Sequence, residues 1–341
     1  MNVAICIPTR NQAEFIQDAL RSAFAQTVLP TDVVVSDDGG TDDTAAVVER
    51  FRETLPVEWR ARLRYERSPV ALGIGGNFDR AVRLAEGEFV VKLDSDDVLE
   101  STFIKILAGQ LKANPKAGWA HCNVWNVRPD LTPIALAHTR KPGGFYAPEQ
   151  ALPAYLRHND TCHCVLLRKS AYLATGGYKR EMKTAEDWLL WLEMLFGGWG
   201  YVFEDQPLAK MRKYEARPDL MTKRRQAFVE SAQYMAPRIE KLCRENGIAG
   251  MSAEAALKRF RAALARLCIT SGCDEANPQV RRTLFEAACG IDPSVRSQLW
   301  RVFMAPLPTE VTRQFLNLSG LPRNCARKVF QKLRRTPATD Q

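Results

Sequence analysis

No run in this sequence approaches the roughly 18 to 20 uncharged apolar residues that a bilayer-spanning helix requires. No Cys-x-x-Cys pair occurs, which leaves a structural zinc site little support. The Gly-x-x-x-x-Gly-Lys-[Ser/Thr] loop of P-loop proteins is missing as well. Gly73-Ile74-Gly75-Gly76-Asn77 superficially suggests a dinucleotide loop, but the third glycine of Gly-x-Gly-x-x-Gly would fall at Phe78. The first strand-like run and its turn also hold no glycine, which excludes that fingerprint where it belongs. The glycines near position 75 instead let backbone pass close to a ligand, ahead of a helix starting near Asn77. Internal repeats and long low-complexity stretches are absent. No basic segment precedes the run at Val3, so no signal peptide is expected and a cytoplasmic location is.

The 341 residues leave room for two domains, and 46% hydrophobic with 26% charged residues is ordinary for a globular protein. Nine cysteines, an odd number, sit mostly in apolar contexts such as Ile5-Cys6-Ile7, as reduced, buried thiols do. His158, Cys162, His163 and Cys164 form the densest cluster. Their alternation can place two ligands on one side of a strand, although a plain strand bordering a cleft is the simpler reading. The net charge of +9 is uneven: residues 222–341 carry 21 Lys and Arg against 10 Asp and Glu, leaving 27 against 29 in residues 1–221. An acidic first part suits a cation-binding site. A basic last part suits an anionic lipid, glycan or nucleic acid, and solvated helix faces look the same. No nucleic-acid recognition motif accompanies the charge, so that partner is not expected.

Strand and helix patterns alternate through the first half. Val3–Ile7, Val33–Ser36, Leu63–Glu66 and Phe89–Leu93 read as strands buried in a parallel sheet. Between them, Phe15, Ile16, Ala19, Leu20, Ala23 and Phe24 mark one face of a helix. A second helix is expected from about Asp42 to Phe51 with Thr41 as its cap, and a third over Asn77–Leu84. This βαβαβαβ order predicts a mostly parallel sheet flanked by helices. Beyond Thr222 the pattern is helical, with Leu257, Phe260, Leu264 and Leu267 as an apolar stripe. Pro278, Pro293, Pro306, Pro308 and Pro322 cut that region into short helices, and the last half dozen residues read as disordered.

Ligands of an open parallel sheet bind outside the carboxyl ends of its strands. Three expected strand ends carry polar groups: Pro8-Thr9-Arg10-Asn11, Asp37-Asp38-Gly39-Gly40 and Asp94-Ser95-Asp96-Asp97. Crowded carboxylates such as Asp94 and Asp96 need a cation, and all-oxygen ligands favour Mg²⁺ or Mn²⁺, which commonly bridges to a diphosphate. An EF-hand loop is excluded, because Leu99 stands where its glycine should be and Lys105 where its glutamate should be. Asp37, at a strand end, can accept a hydrogen bond from an imide N–H of a pyrimidine base.

The ordered set Ile5-Cys6-Ile7-Pro8-Thr9-Arg10-Asn11, Val35-Ser36-Asp37-Asp38-Gly39-Gly40, Leu72-Gly73-x-Gly75-Gly76-Asn77 and Leu93-Asp94-Ser95-Asp96-Asp97 resembles glycosyltransferase family 2. Gly176-Gly177-Tyr178 and Ala185-Glu186-Asp187-Trp188 are similar to the acceptor-side signature of that family. The likeness spans about residues 2–215. It implies a GT-A (nucleotide-diphospho-sugar transferase) fold with a C-terminal helical appendage. The expected domains are 1–221, divided into a donor half 1–97 and an acceptor half 98–221, and a basic helical region 222–341.

The resemblance further implies inverting transfer of a sugar from a UDP-, dTDP- or GDP-sugar to a glycan or lipid-linked acceptor, as in bacterial surface polysaccharide synthesis. Pro8, Thr9, Asn11, Asp37, Asp38, Gly73, Asn77, Asp94 and Arg212 would bind the donor. Asp96 and Asp94 would bind Mn²⁺ or Mg²⁺, and Asp187 would be the general base with Glu186 beside it. Where many members carry Ala-Arg-Asn, this chain has Gly75-Gly76-Asn77. Where many carry Tyr-Arg-x-His, it has Met211-Arg212-Lys213-Tyr214, so phosphate charge falls to Arg212 or Lys213 and a histidine ligand is lacking. A nucleotidyltransferase on a similar sheet and an inactive nucleotide-sugar-binding protein are the competing readings. Peripheral contact of the basic region with an anionic membrane is the remaining expectation.

Overall fold

A computed structural model describes residues 2–137, 141–215, 218–247 and 250–295. The chain divides into two units, one within residues 1–216 with 248–250, the other within 217–247 and 251–341.

The first unit is built on a single twisted sheet. Its opening strands are β1 (Val3–Thr9), β2 (Asp32–Asp37), β3 (Leu63–Arg67) and β4 (Phe89–Lys92). They lie side by side in the order β3-β2-β1-β4 and run parallel. Helices α1 (Ile16–Phe24), α2 (Thr44–Thr54), the short α3 (Val57–Arg60) and α4 (Gly73–Leu84) make the connections. Next in the chain are β5 (Val98–Leu99), α5 (Phe103–Ala113), β6 (Ala117–Val127), β7 (Pro133–Ala137), β8 (Gly144–Tyr146) and α6 (Pro148–Tyr155). The unit continues with β9 (Val165–Arg168), α7 (Lys169–Ala174), α8 (Glu186–Phe196) and β10 (Gly200–Arg212). These strands extend the sheet as β4-β9-β6-β10-β5, with β9 antiparallel to both its neighbours and β10 parallel to β6. The parallel order expected from the alternating pattern holds across β3-β2-β1-β4, whereas beyond β4 antiparallel pairings join it and the sheet as a whole is mixed.

Both faces of β1 and β2 are buried, which is why their sequences read as continuous apolar runs. Val3, Ile5 and Ile7 point to one face with Val33, Val35 and Val91, and pack against Ile16 and Leu20 of α1, Val48 of α2 and Leu107 of α5. The alternate residues Ala4, Cys6, Val34 and Val90 are buried on the other side. Farther along, Trp119 of β6 stacks on Trp191 of α8 at 4.8 Å between ring centroids and on Tyr201 of β10 at 5.1 Å. That stack seats α8 with its N-terminus at the carboxyl end of the sheet.

Two local expectations differ from the structure. Helix α4 starts at Gly73, not near Asn77, because Asp38 accepts from the N–H groups of Leu72 (2.5 Å) and Gly73 (3.1 Å) and satisfies the first turn from another loop. Thr41 does not cap α2; Asp43 holds the N-cap position, and the Thr41 N–H donates to Asn11 Oδ1 at 2.7 Å.

The second unit holds α9 (Pro218–Asn246), α10 (Ala253–Asp274) and α11 (Pro278–Ile291) around Val229, Cys268, Ile269, Leu284 and Ala288. Ser252 and Asn277 cap α10 and α11. Buried Glu275 accepts from Arg225 at 3.0 Å and Thr222 at 2.9 Å, which ties α9 to the α10–α11 turn. Leu257, Phe260 and Leu264 form the expected stripe, but Leu267 is 39% exposed. The helical period carries the buried face to Cys268 instead. Pro306, Pro308, Pro322 and the terminal half dozen residues lie outside the described residues.

Asn77 is buried between the ends of β1 and β2. Its amide donates to Ser36 O (2.8 Å) and Thr9 O (3.3 Å), and its Oδ1 accepts from Ser36 Oγ at 2.7 Å. Asn77→Ala strands those buried groups, and a loss of about 1–3 kcal/mol in urea unfolding is expected. A change below about 0.5 kcal/mol would show that this amide does not hold the two strands together.

Candidate active site

The carboxyl ends of β1 and β2 meet in register, Thr9 opposite Asp37. The loops after them lock together. Asn11 adopts a left-handed backbone (φ 55°), and its Oδ1 accepts from the N–H groups of Thr41 and Asp42. Asp42 in turn accepts from Ala13 N at 2.9 Å, and Thr44 Oγ1 from Gln12 N at 3.1 Å. A side chain at Gly40 would meet Asn11 Oδ1 and Asp37 Oδ1 at 3.0 Å each, so only glycine lets the loops close this far.

Within this rim Asp37 is buried and oriented. Its Oδ1 accepts from Gly40 N at 2.8 Å and its Oδ2 from the Tyr65 hydroxyl. Thr9 is also buried, yet among the described residues its hydroxyl has no hydrogen-bond partner. An orphaned hydroxyl at a strand end fits a polar ligand better than a packed core. Pro8 is half-buried next to it. Alongside lies a cleft of about 430 Å³ lined by Arg10, Asp38, Gly39, Arg67, Ser68, Pro69 and Ala71. Arg10 and Arg67 bring positive charge to an otherwise acidic rim, and sequence reasoning missed both. Their place directly at two strand ends was the available signal.

The end of β4 carries the acidic cluster. Lys92, the last strand residue, is buried and donates to Asp94 Oδ1. Burial opposes its charge, but the Asp94 carboxylate outweighs burial and raises its pKa above the usual lysine value. Burial likewise opposes ionisation of Asp94, and Lys92 followed by His163 overcomes it, lowering that pKa. His163 Nδ1 lies 4.0 Å from Asp94 Oδ2. Asp96 accepts from the Tyr214 hydroxyl at 3.0 Å, so a tyrosine meets the cluster from the position where the resemblance expects a histidine. Asp97 faces inward, accepting from Arg212 N at 3.0 Å, and burial followed by the Asp94 and Asp96 charges pushes it up to about 8.

Arg212 does not open onto the cleft. Its side chain is 1% exposed, and its guanidinium donates to Asp18 Oδ2 (2.5 Å), Pro129 O (2.9 Å) and Asp96 O. With each of its three guanidinium nitrogens engaged in the chain, it braces the Asp94–Asp97 loop from behind. Lys213 is exposed. Asn11, Asp38, Gly73 and Asn77 shape the rim through the backbone contacts given above.

Opposite the rim, α8 begins at Glu186 after Ala185, which is left-handed at φ 58°. A Cβ on Gly75 would stand at ordinary contact distance from Glu186 Cγ (3.6 Å) and Tyr178 Cβ (3.5 Å), which places the start of α4 beside the start of α8. Burial first, and the Asp187 charge second, push Glu186 up to about 7. Asp187 Oδ2 accepts from Asn159 Nδ2 at 2.7 Å, and its Oδ1 from Trp188 N at 2.7 Å.

The oxygen donors of Asp94 and Asp96 suit a hard divalent ion of the kind that takes one or two carboxylates and completes its shell with water and phosphate. Among the described residues no group of three or more His, Cys, Asp or Glu is arranged to hold a metal by itself. His158, Cys162, His163 and Cys164 therefore make no metal centre; Cys162 Sγ donates to Cys122 O and Cys164 O, and Cys164 Sγ to Asp97.

Residues 4–175 match the model of Glycosyl transferase family 2, and the chain belongs to that family. It is a glycosyltransferase with a GT-A fold. Over 192 residues, 56% of this chain, it is 28% identical to chondroitin synthase of Pasteurella multocida (strain Pm70), and the match spans 18% of that longer protein. Two solved structures share the fold. S. aureus TarS 1–349 in complex with UDP superposes with a TM-score of 0.53 at 18% identity, over 87% of this chain and 92% of its own. The mannosyltransferase PcManGT from Pyrobaculum calidifontis, in complex with GDP-Man and Mn²⁺, gives a TM-score of 0.57 at 16% identity, over 97% and 84%.

Because folding raises the Glu186 pKa from 4.5 to about 7, its ionised form opposes folding. The stability involved is present below the lower value and is lost as pH climbs through the upper one. Glu186→Gln should leave Tm nearly unchanged at pH 4, below both values, and raise it by about 2 °C or more at pH 8. Equal shifts at both pH values would contradict this.

Proposed function

We propose that this glycosyltransferase works with inversion, moving a sugar from a UDP-, dTDP- or GDP-sugar to a hydroxyl of a glycan or lipid-linked acceptor in bacterial surface polysaccharide assembly. The observation that carries the reading is the approach of two carboxylate groups at one end of the sheet. Asp37, Asp94 and Asp96 stand at the strand ends, and Glu186 and Asp187 begin the helix that faces them.

In this reading the base enters beside Asp37 and the free Thr9 hydroxyl, with Arg10 and Arg67 offsetting nucleotide charge. Asp94, fixed by Lys92, orients the ribose or donor sugar. Asp96, with Asp94, holds Mn²⁺ or Mg²⁺, which when bound neutralises the departing diphosphate. Asp187 accepts the proton of the acceptor hydroxyl as its oxygen bonds to the anomeric carbon. The bond from that carbon to the phosphate oxygen breaks, and its electron pair leaves with the nucleoside diphosphate. The names of the similar proteins support the classes of molecule: a glycan synthase for the acceptor, UDP and GDP-Man with Mn²⁺ for the donor. The basic balance of residues 222–341 supports a cytoplasmic enzyme lying peripherally on an anionic membrane face, and among the described residues no helix is long and apolar enough to cross one.

Two variants test the assignment together. Asp96→Ala should abolish Mn²⁺-dependent binding of the nucleoside diphosphate. Asp187→Asn should lower turnover by roughly 10²-fold or more while donor binding stays within about twofold. Unchanged nucleotide affinity in the first, or near-full turnover in the second, defeats the corresponding role. Release of pyrophosphate in place of nucleoside diphosphate would make the enzyme a nucleotidyltransferase.

A further inference from the structure

We infer that Asn159 is a positioning residue for sugar transfer, its side-chain amide fixing the carboxylate of Asp187; the inference rests on reading Asp187 as the base. Asn159 sits between α6 and β9, outside every motif that marks the site in the sequence. Its Oδ1 accepts from Thr161 N at 3.1 Å, which leaves Nδ2 directed at Asp187 Oδ2, 2.7 Å away.

The segment that carries Asn159 is pinned on both sides. On one side, the Tyr155 hydroxyl and Thr161 Oγ1 are 2.5 Å apart, and Tyr155 O accepts from Trp188 Nε1 at 2.7 Å. On the other, Asp160 accepts from Lys141 Nζ at 2.7 Å. That ammonium is itself held 4.6 Å from the Tyr201 ring centroid and 5.0 Å from that of Phe203. Asn159 therefore reaches the carboxylate from a braced strap, which is what a reacting group needs to stay in productive geometry.

The chemistry of the donor matters as much as its placement. A carboxylate has about four lone-pair sites, and Asn159 with the Trp188 N–H uses two of them. The rest remain open to the proton of an acceptor hydroxyl. A neutral amide orients the group without cancelling its charge, as a lysine there would.

Initial rates of UDP or GDP release from UDP-N-acetylglucosamine and GDP-mannose with Mn²⁺ test this in the full chain. Asn159→Ala should lower kcat by about tenfold or more through misplacement of the base, with donor KM and Tm nearly unchanged. Asn159→Asp keeps the volume without the amide donor and should stay as slow. The double variant Asn159→Ala/Asp187→Asn should be no slower than Asp187→Asn alone, because a residue acting through another adds nothing once that partner is disabled. Full activity in Asn159→Ala or Asn159→Asp beside a slow Asp187→Asn overturns the inference, as does an equal loss in both backgrounds. A large drop in Tm with weakened donor binding also overturns it, in favour of a purely structural strap. If Asp187→Asn keeps wild-type turnover, the base reading fails first and this one with it. A crystal structure of Asn159→Ala reads the same point without turnover: the Asp187 carboxylate should rotate away, and an unmoved carboxylate refutes the role.

Discussion

The buried amide of Asn77 sets the geometry on which the site depends. By bonding to Thr9 and Ser36 it fixes the ends of β1 and β2 at the level where their chains turn away into separate loops. β1 lies between β2 and β4, and the chain leaves it toward β2. The crevice between β1 and β4 is thus a topological switch point, where open α/β sheets bind ligands. Asn11 and Asp38 carry the constraint outward, one clasping the two loops and the other starting α4. Thr9, Asp37 and Gly75 take their positions from this frame.

Charge is the second constraint, and it is managed from inside. The loop after β4 packs three aspartates into four residues, and two buried cations stand behind it. Lys92 is committed to Asp94, and Arg212 to Asp18 and to the carbonyls of Pro129 and Asp96. They brace the loop, while the Asp96 carboxylate accepts from a neutral tyrosine hydroxyl. Carboxylates held this close favour an added cation, which is the physical content of the motif. Across the crevice burial, and after it the charge of Asp187, push the Glu186 carboxyl toward neutrality.

Much of this was legible in the residues. The apolar runs of β1, β2 and β4 announced buried parallel strands, and the polar groups at their ends announced a rim. What stayed hidden was set by partners far away in the chain. Arg212 reads as a phosphate-binding group until Asp18, 194 residues earlier, proves to hold it. The start of α4 is set by Asp38, 34 residues upstream, so no local cap signal marks it. Leu267 matches a loose helical spacing, and only the packed bundle selects Cys268 in its place. Lys92 was visible as the one charge in the apolar run Phe89–Leu93. Asn159 was not, because a polar residue in a polar connection carries no period.

The role proposed for the rim of β1, β2 and β4 is that of a metal-assisted nucleotide-sugar site. A crystal structure of the full chain grown with Mn²⁺ and UDP or GDP tests this most directly. The prediction is a manganese anomalous peak against Asp96, diphosphate beside it, and the base at Thr9 and Asp37 near Arg10 and Arg67. A nucleotide bound elsewhere, or bound on this rim with manganese distant from Asp96, would contradict it.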